Sequence, residues 1–250
     1  MGSEMCIRDR FCAAVYQRGL PVVQIPTTLV AQVDSALGGK TGVDLPAAKN
    51  YVGAYHQPAA VLTDPGALQS LPHSELAAGY AEVVKTALIA GGDLWETVRS
   101  GGPPTVESMG AVVFDCALTK LAIVAEDERD GGRRAVLNLG HTIGHAIETA
   151  TAYERYRHGE AIALGLLVAL RISGHAALRD EVRTLVAAAG LPTMLDDDID
   201  LDAVVTATGL DKKRTAGGLG FVLVRAPGDV IHGQTVSEGD LWSAVEELRR

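Results

Sequence analysis

The stretch PHSELAAGYAEVVKTALIA, residues 72–90, marks the point where the texture of the chain changes. Ahead of it, Val22, Val23, Gln24 and Ile25 form a short apolar run closed by Pro26, and a second run over 60–63 stops at Asp64 and Pro65. Both read as short buried strands that run into loops. Between them lie Gly38, Gly39, Gly42, Gly53 and two prolines, a composition for a ligand-cradling loop more than for regular structure. From Pro72 onward the pattern turns alanine-rich and helical. Helices are expected over 74–90, with Ser74 as the candidate cap, and over 105–127, 139–149, 159–177, 179–189 and 241–248, with one strand-like interruption at 219–224. The fold class read from this is α/β followed by all-α, with a boundary near residues 65–72 and no internal repeat.

Composition narrows the function classes. At 250 residues with 47% hydrophobic content the chain can bury a substantial core. Charged residues interrupt every apolar run before bilayer length, which excludes a membrane span, and the first ten residues do not read as a secretory signal. Cysteines 6, 12 and 116 form no Cys-x-x-Cys pair and leave an odd count, which argues against a disulfide framework and against a thiolate zinc site. A cytoplasmic location follows as the default. The formal charge of -9 makes nucleic acid an unfavourable partner, so an anionic ligand needs a local basic pocket.

Three groups of residues carry candidate chemistry. In Asn138-Leu139-Gly140-His141-Thr142-Ile143-Gly144-His145 the two histidines are four apart and share a helix face, and His158-Gly159-Glu160 brings a third at the start of the next helix. That pattern suits a metal site, although two histidines at this spacing are by themselves more often a solvated pair. Glu82, inside an apolar helix, either needs a cation there or is a surface glutamate paired with Lys85; spacing does not choose. The second group is Pro26-Thr27-Thr28 with Asp34, Gly38-Gly39-Lys40-Thr41-Gly42 and Lys49-Asn50. A P-loop is rejected because Asp34 stands where the first glycine of a Walker A loop is required, which leaves a glycine loop whose amides and lysines can hold phosphate. The third is a scatter of cations, Lys85, Lys120, Arg134 and the Lys212-Lys213 pair, each by itself more often a solvated surface charge.

Taken in order, the stretches Ala13 to Gly19, Pro26 to Asn50, Ala78-Gly79-Tyr80-Ala81-Glu82-Val83-Val84-Lys85, Asp127-Glu128-Arg129, Asn138 to His145 and His158-Gly159-Glu160 resemble 3-dehydroquinate synthase, of the sugar phosphate cyclase superfamily. The resemblance implies a remnant of a Rossmann-like NAD-binding domain over 11–70, followed by a mostly helical metal- and substrate-binding domain over 71–250. It implies that Glu82, His141 and His158 bind Zn2+ or Co2+, and that Thr27, Thr28, Lys40, Lys49 and Asn50 meet NAD, with Ala67, Leu68, Gln69 and Ser70 near its adenosine end. It assigns Asp34 to the substrate hydroxyls, Lys85, Lys120, Arg134, Asn138, His145, Lys212 and Lys213 to the carboxylate and phosphate of 3-deoxy-arabino-heptulosonate 7-phosphate, and Arg18 to the phosphate across a homodimer interface in the full-length protein. His145 is implied to pass a proton near that phosphate.

The chain departs from the family in two places. The family's N-terminal segment, with its glycine-rich pyrophosphate turn, is not matched, so residues 1–10 are expected to be a non-family leader and the activity of this truncated chain is left open. Asp130 stands where the family usually has glutamate, four residues before Arg134. Two alternatives stay open: a sister cyclase of the 2-deoxy-scyllo-inosose or valiolone synthase type, whose substrates lack a carboxylate, and a non-catalytic fragment. A metal-dependent polyol dehydrogenase is a weaker third.

Overall fold

The structure, a computed structural model, describes residues 2–45, 48–103, 105–212 and 220–249. In chain order its helices are α1 (Gly2–Val15), α2 (His73–Ala90), α3 (Gly92–Gly101), α4 (Val106–Glu126), α5 (His141–Ala150), α6 (His158–Ile172), α7 (Ala176–Ala188), α8 (Leu201–Lys212) and α9 (Glu238–Glu246). Its strands are β1 (Val23–Gln24), β2 (Val43–Leu45), β3 (Ala48–Val52), β4 (Ala60–Val61), β5 (Phe221–Ala226) and β6 (Asp229–Gln234). The chain forms two compact units, Met1–Gly79 with Pro104–Arg134, and Tyr80–Pro103 with Ala135–Arg250. Helix α4, expected in the C-terminal helical domain, thus groups with the N-terminal residues. It does so because it packs against the turns Ala31–Ser35 and Pro65–Ser70.

In the first unit β1 and β4 pair in parallel, with Val23 opposite Ala60. Only Gln24 of β1 is buried, whereas Val23 and Ile25 are exposed, so the expected buried strand turns a single residue inward. The glycine-rich stretch is more regular than expected. β2 and β3 form an antiparallel hairpin whose neck is closed by Thr41, its hydroxyl donating to the Ala54 carbonyl at 2.9 Å and accepting from the Ala54 amide at 3.0 Å. Glycine is required there for approach and not for looseness, since a Cβ on Gly53 would lie 2.6 Å from Gly42 Cα. Helix α1 runs through residue 10, so the expected leader boundary is not a structural one. Arg10 is buried and donates to the Ser35 carbonyl.

Helix α4 matches its expectation closely, flanked by Thr105 and Asp127. The exclusion of a membrane span needs correction on one point: Ser108–Glu126 is long and apolar enough to cross a bilayer by length and composition, with 39% of that window buried in the protein. Its Lys120, however, pairs with Asp34, which is the behaviour of a packed helix.

The second unit is built around α6, in which Ile162, Leu164, Leu166, Leu167 and Leu170 are fully buried. A helix apolar on all faces belongs at the centre. Helix α5 lies against it at unusually short range. A Cβ on Gly165 would fall 2.0 Å from the Gly140 carbonyl oxygen, and one on Gly144 would fall 2.7 Å from Ile162 Cδ1. α6 ends at Ile172 rather than 177, because Gly174 adopts φ 78° and lets α7 begin at Ala176. α2 begins at His73, with the Pro72 carbonyl accepting from the amides of Glu75 and Leu76, so Ser74 sits inside the first turn and does not cap it. Helices α1, α3 and α8 and strand β6 were not expected.

Candidate metal centre and ligand-binding residues

In the second unit three elements converge. Glu82 from the middle of α2, His141 from the first turn of α5 and His158 from the first residue of α6 present ligand atoms within 4.8 Å of one another. Both histidines turn Nε2 toward Glu82 Oε1, His141 at 3.5 Å and His158 at 3.3 Å. The close crossing of α5 and α6 through Gly140, Gly144 and Gly165 is what sets these two histidines beside each other. His145, one turn along α5, stacks edge-on to His141 with ring centroids 5.3 Å apart.

The electrostatics fit a cation. Glu82 is fully buried, and neither of its oxygens takes a well-aligned hydrogen bond. Burial alone would raise its pKa; the charge of Lys85, itself buried and in contact with Oε2, together with His141 and His158 holds it well below the usual carboxylate range. The two open readings of Glu82 therefore both contain part of the answer: it does pair with Lys85, but in the interior. Burial, reinforced by Lys85, lowers His141 to about 3, so its imidazole is neutral and able to donate a lone pair. His158 is pulled the other way. Burial works against its charge, but the hydrogen bonds its ring donates to Glu148 and Glu82 raise it to about 9.

Each candidate ligand has its other ring nitrogen held. His141 Nδ1 lies 3.2 Å from the Leu139 carbonyl, and His158 Nδ1 lies 3.2 Å from Glu148 Oε1. Those contacts favour a proton on Nδ1, which leaves Nε2 of the neutral His141 free, and Nε2 of His158 free once its second proton is lost, the tautomer a metal requires. Two histidines and one carboxylate are the donor set of an open catalytic zinc site, which keeps a position for substrate. A second group of donor atoms, from His145, Glu148 and His158, lies equally close together.

The first unit gathers the expected nucleotide and anion residues into smaller clusters. Thr27 and Thr28 follow β1, and Ala67, Leu68, Gln69 and Ser70 follow β4, so both stretches leave the carboxyl ends of paired parallel strands, where α/β proteins bind nucleotides. Thr28 is buried, and its hydroxyl accepts from the Ala31 amide at 3.3 Å; Thr27, Gln69 and Ser70 are exposed, and Leu68 is wholly in the core. Gln32, overlooked in the sequence, clamps the two strand ends together: its buried amide donates to the carbonyls of Pro26 at 3.1 Å and Asp64 at 2.8 Å. The only advance signal was a polar residue inside the apolar run 29–33.

Asp34 lies in the π-helical turn Ala31–Ser35, 2.8 Å from the buried Lys120 ammonium. Lys40 pairs with Asp130, so the shorter side chain at 130 still reaches a lysine. Arg134 is 1% exposed; its guanidinium donates to the carbonyls of Glu128 and, at 2.7 Å, Gly38, and lies over the Tyr55 ring. It therefore braces the glycine loop. Asp127 caps the turn ahead of it, accepting from the amides of Gly131, Gly132 and Arg134, which lowers its pKa. Arg18 is exposed in a turn where Gln17, Arg18 and Gly19 all have positive φ, and Asn138 is half-buried at the end of the turn Arg133–Asn138. The side chains of Lys49, Asn50 and Lys212, and the whole of Lys213, fall outside the described residues.

Glu148 also went unnoticed in the sequence. The signal was available, since it follows His141 by seven and His145 by three and so shares their helix face.

The family model for the 3-dehydroquinate synthase C-terminal domain matches residues 79–214, and that for the N-terminal domain matches residues 7–78. A 3-dehydroquinate synthase of Caulobacter vibrioides is 44% identical over 251 residues, covering 95% of this chain and 68% of its own length. One from Legionella pneumophila is 41% identical over 244 residues, covering 94% and 66%. The chain thus spans about two thirds of the length of these curated relatives. Among solved structures, a 2-epi-5-epi-valiolone synthase from Streptomyces hygroscopicus with NAD+ and Zn2+ bound superposes with a TM-score of 0.89 at 26% identity, covering 99% of this chain and 71% of its own. A 2-deoxy-scyllo-inosose synthase complexed with carbaglucose-6-phosphate, NAD+ and Co2+ gives 0.85 at 26% identity, with coverage of 98% and 71%.

Proposed function

The chain belongs to the 3-dehydroquinate synthase family, and from that premise we propose that it carries the metal-binding and much of the substrate-binding part of a 3-dehydroquinate synthase. The reaction would convert 3-deoxy-arabino-heptulosonate 7-phosphate to 3-dehydroquinate and phosphate, a carbon-oxygen lyase step supplying aromatic biosynthesis. The observation that carries this reading is the buried Glu82 carboxylate, faced by the Nε2 atoms of His141 and His158 and backed by Lys85.

Glu82, His141 and His158 would hold Zn2+ or Co2+. Thr27, Thr28, Lys40, Lys49, Asn50 and the turn over 67–70 would contribute to the NAD site. When bound, the metal would supply polarisation of substrate oxygens and NAD would supply reversible hydride chemistry without net consumption. The chain's own residues bind, orient and neutralise. Lys120, held by Asp34, together with Arg134, Asn138, Lys212 and Lys213 would take the substrate carboxylate and phosphate, and Arg18 would complete the phosphate site from a partner copy in a homodimer. Asp34 would orient substrate hydroxyls, and His145, beside the metal ligands, would carry a proton to the departing phosphate. A small anionic substrate suits a protein with a net charge of -9 only through such a local set of cations. The cytoplasm is the setting this reading gives.

The test is phosphate release from 3-deoxy-arabino-heptulosonate 7-phosphate with NAD and zinc, on this chain and on one extended to the length of its relatives. Release by the extended chain supports the assignment. Zinc binding without turnover by either counts against it and turns attention to the carboxylate-free substrates of the sister cyclases, whose solved structures resemble this one.

A further inference from the structure

We propose that Glu148 is a positioning residue for the metal centre, holding the His158 ring with Nε2 aimed at Glu82; the inference rests on the metal reading given above. His141 and His158 are not held alike. The His141 side chain is 13% exposed, so packing fixes its ring, and a backbone carbonyl takes its Nδ1. The His158 side chain is 42% exposed at the first residue of α6, so packing holds its ring less closely than that of His141. Opposite its Nε2 contact to Glu82, the ring is held by the Nδ1 contact to Glu148.

Glu148 is itself placed at a cost. Its side chain is 6% exposed, and it lies in the last turn of α5, where the helix dipole disfavours a negative charge. A partner bearing positive charge, whether protonated or metal-bound imidazole, offsets both penalties. The carboxylate also strengthens donation from the histidine it holds, which raises the ligand's affinity for a cation.

The experiment measures Zn2+ affinity by chelator competition and the visible absorption of the Co2+ form, for the unsubstituted chain, Glu148→Ala and Glu148→Gln. Alanine is expected to weaken zinc binding by about 10–100-fold and to alter the Co2+ absorption, because the ring is no longer oriented. Glutamine keeps the volume and one acceptor without the charge, and is expected to fall between. Packing alone would make glutamine indistinguishable from glutamate. If either variant binds zinc as tightly as the unsubstituted chain, with the same Co2+ absorption, the positioning role is overturned. Should alanine not fold, the glutamine variant decides. An unsubstituted chain without saturable zinc binding instead overturns the metal reading itself, so the two failures are distinguishable.

Discussion

At the residue scale the centre is a balance of buried charges, and its pH behaviour follows from that. His158, raised to about 9, keeps a proton that an unfolded histidine with its ordinary value of 6.5 would release, so the stability it adds is full below 6.5 and lost as pH rises toward 9. His141, lowered to about 3, refuses a proton that the unfolded chain accepts, so stability falls as pH drops from 6.5 toward 3. The depressed Glu82 adds to the loss on the acid side. The metal-free chain should therefore be most stable near neutrality, and denaturant titrations between acid and alkaline pH should show a maximum with a decline on both sides. Metal binding has to displace the His158 proton, so zinc affinity should rise about tenfold per pH unit up to about 9 and then level off, measured by competition at a series of pH values. Glu82→Gln removes both a ligand and the carboxylate beside buried Lys85. It should abolish tight zinc binding and destabilise the metal-free chain by about 3–5 kcal/mol in urea unfolding.

At the element scale the site depends on two helices crossing closely enough for three histidines to meet. The glycines of the histidine-rich motif serve that crossing: Gly140 starts α5 at φ 77°, and Gly144 and Gly165 remove the side chains that would separate α5 from α6. Gly165→Ala should destabilise the chain by about 1–3 kcal/mol or more, and should also weaken zinc binding by moving His158 away from His141. Gly239→Ala in α9, where a Cβ meets nothing within 4 Å, is the contrasting case: it should be neutral or stabilise by about 0.5–1 kcal/mol. Urea midpoints of the two variants make the comparison. In the first unit the corresponding element-scale device is Gln32, which ties the ends of β1 and β4 so that the candidate nucleotide residues leave the pair at one edge.

At the scale of the whole molecule, metal and folding should be linked. The candidate ligands Glu82 and His141 are far apart in sequence, so zinc should bind only the folded arrangement. At a free zinc concentration about 100 times Kd, binding should stabilise the fold by about 2.7 kcal/mol, reversed by a chelator. The two tryptophans, Trp95 and Trp242, both lie in the unit that holds the metal residues, so thermal melts followed by tryptophan fluorescence read that unit. A melting temperature indifferent to zinc would contradict the linkage.

The sequence by itself determined what is local or repeated in pattern. The 3.6-residue period placed α4 within a residue at each end and put His141 and His145 on one face, because helix geometry needs only neighbouring residues. The ordered motifs carried the family and, through it, the expectation that Glu82, His141 and His158 form a donor set. Tertiary structure alone decided that Glu82 is buried against those histidines and Lys85 at once, that α4 joins the N-terminal unit, that the glycine-rich stretch pairs as a hairpin, that Glu148 lies against His158, and that Gln32 ties the ends of β1 and β4. Most of these depend on contacts between residues distant in the chain, and the hairpin neck and the α5–α6 crossing on an absent Cβ that lets two backbones touch.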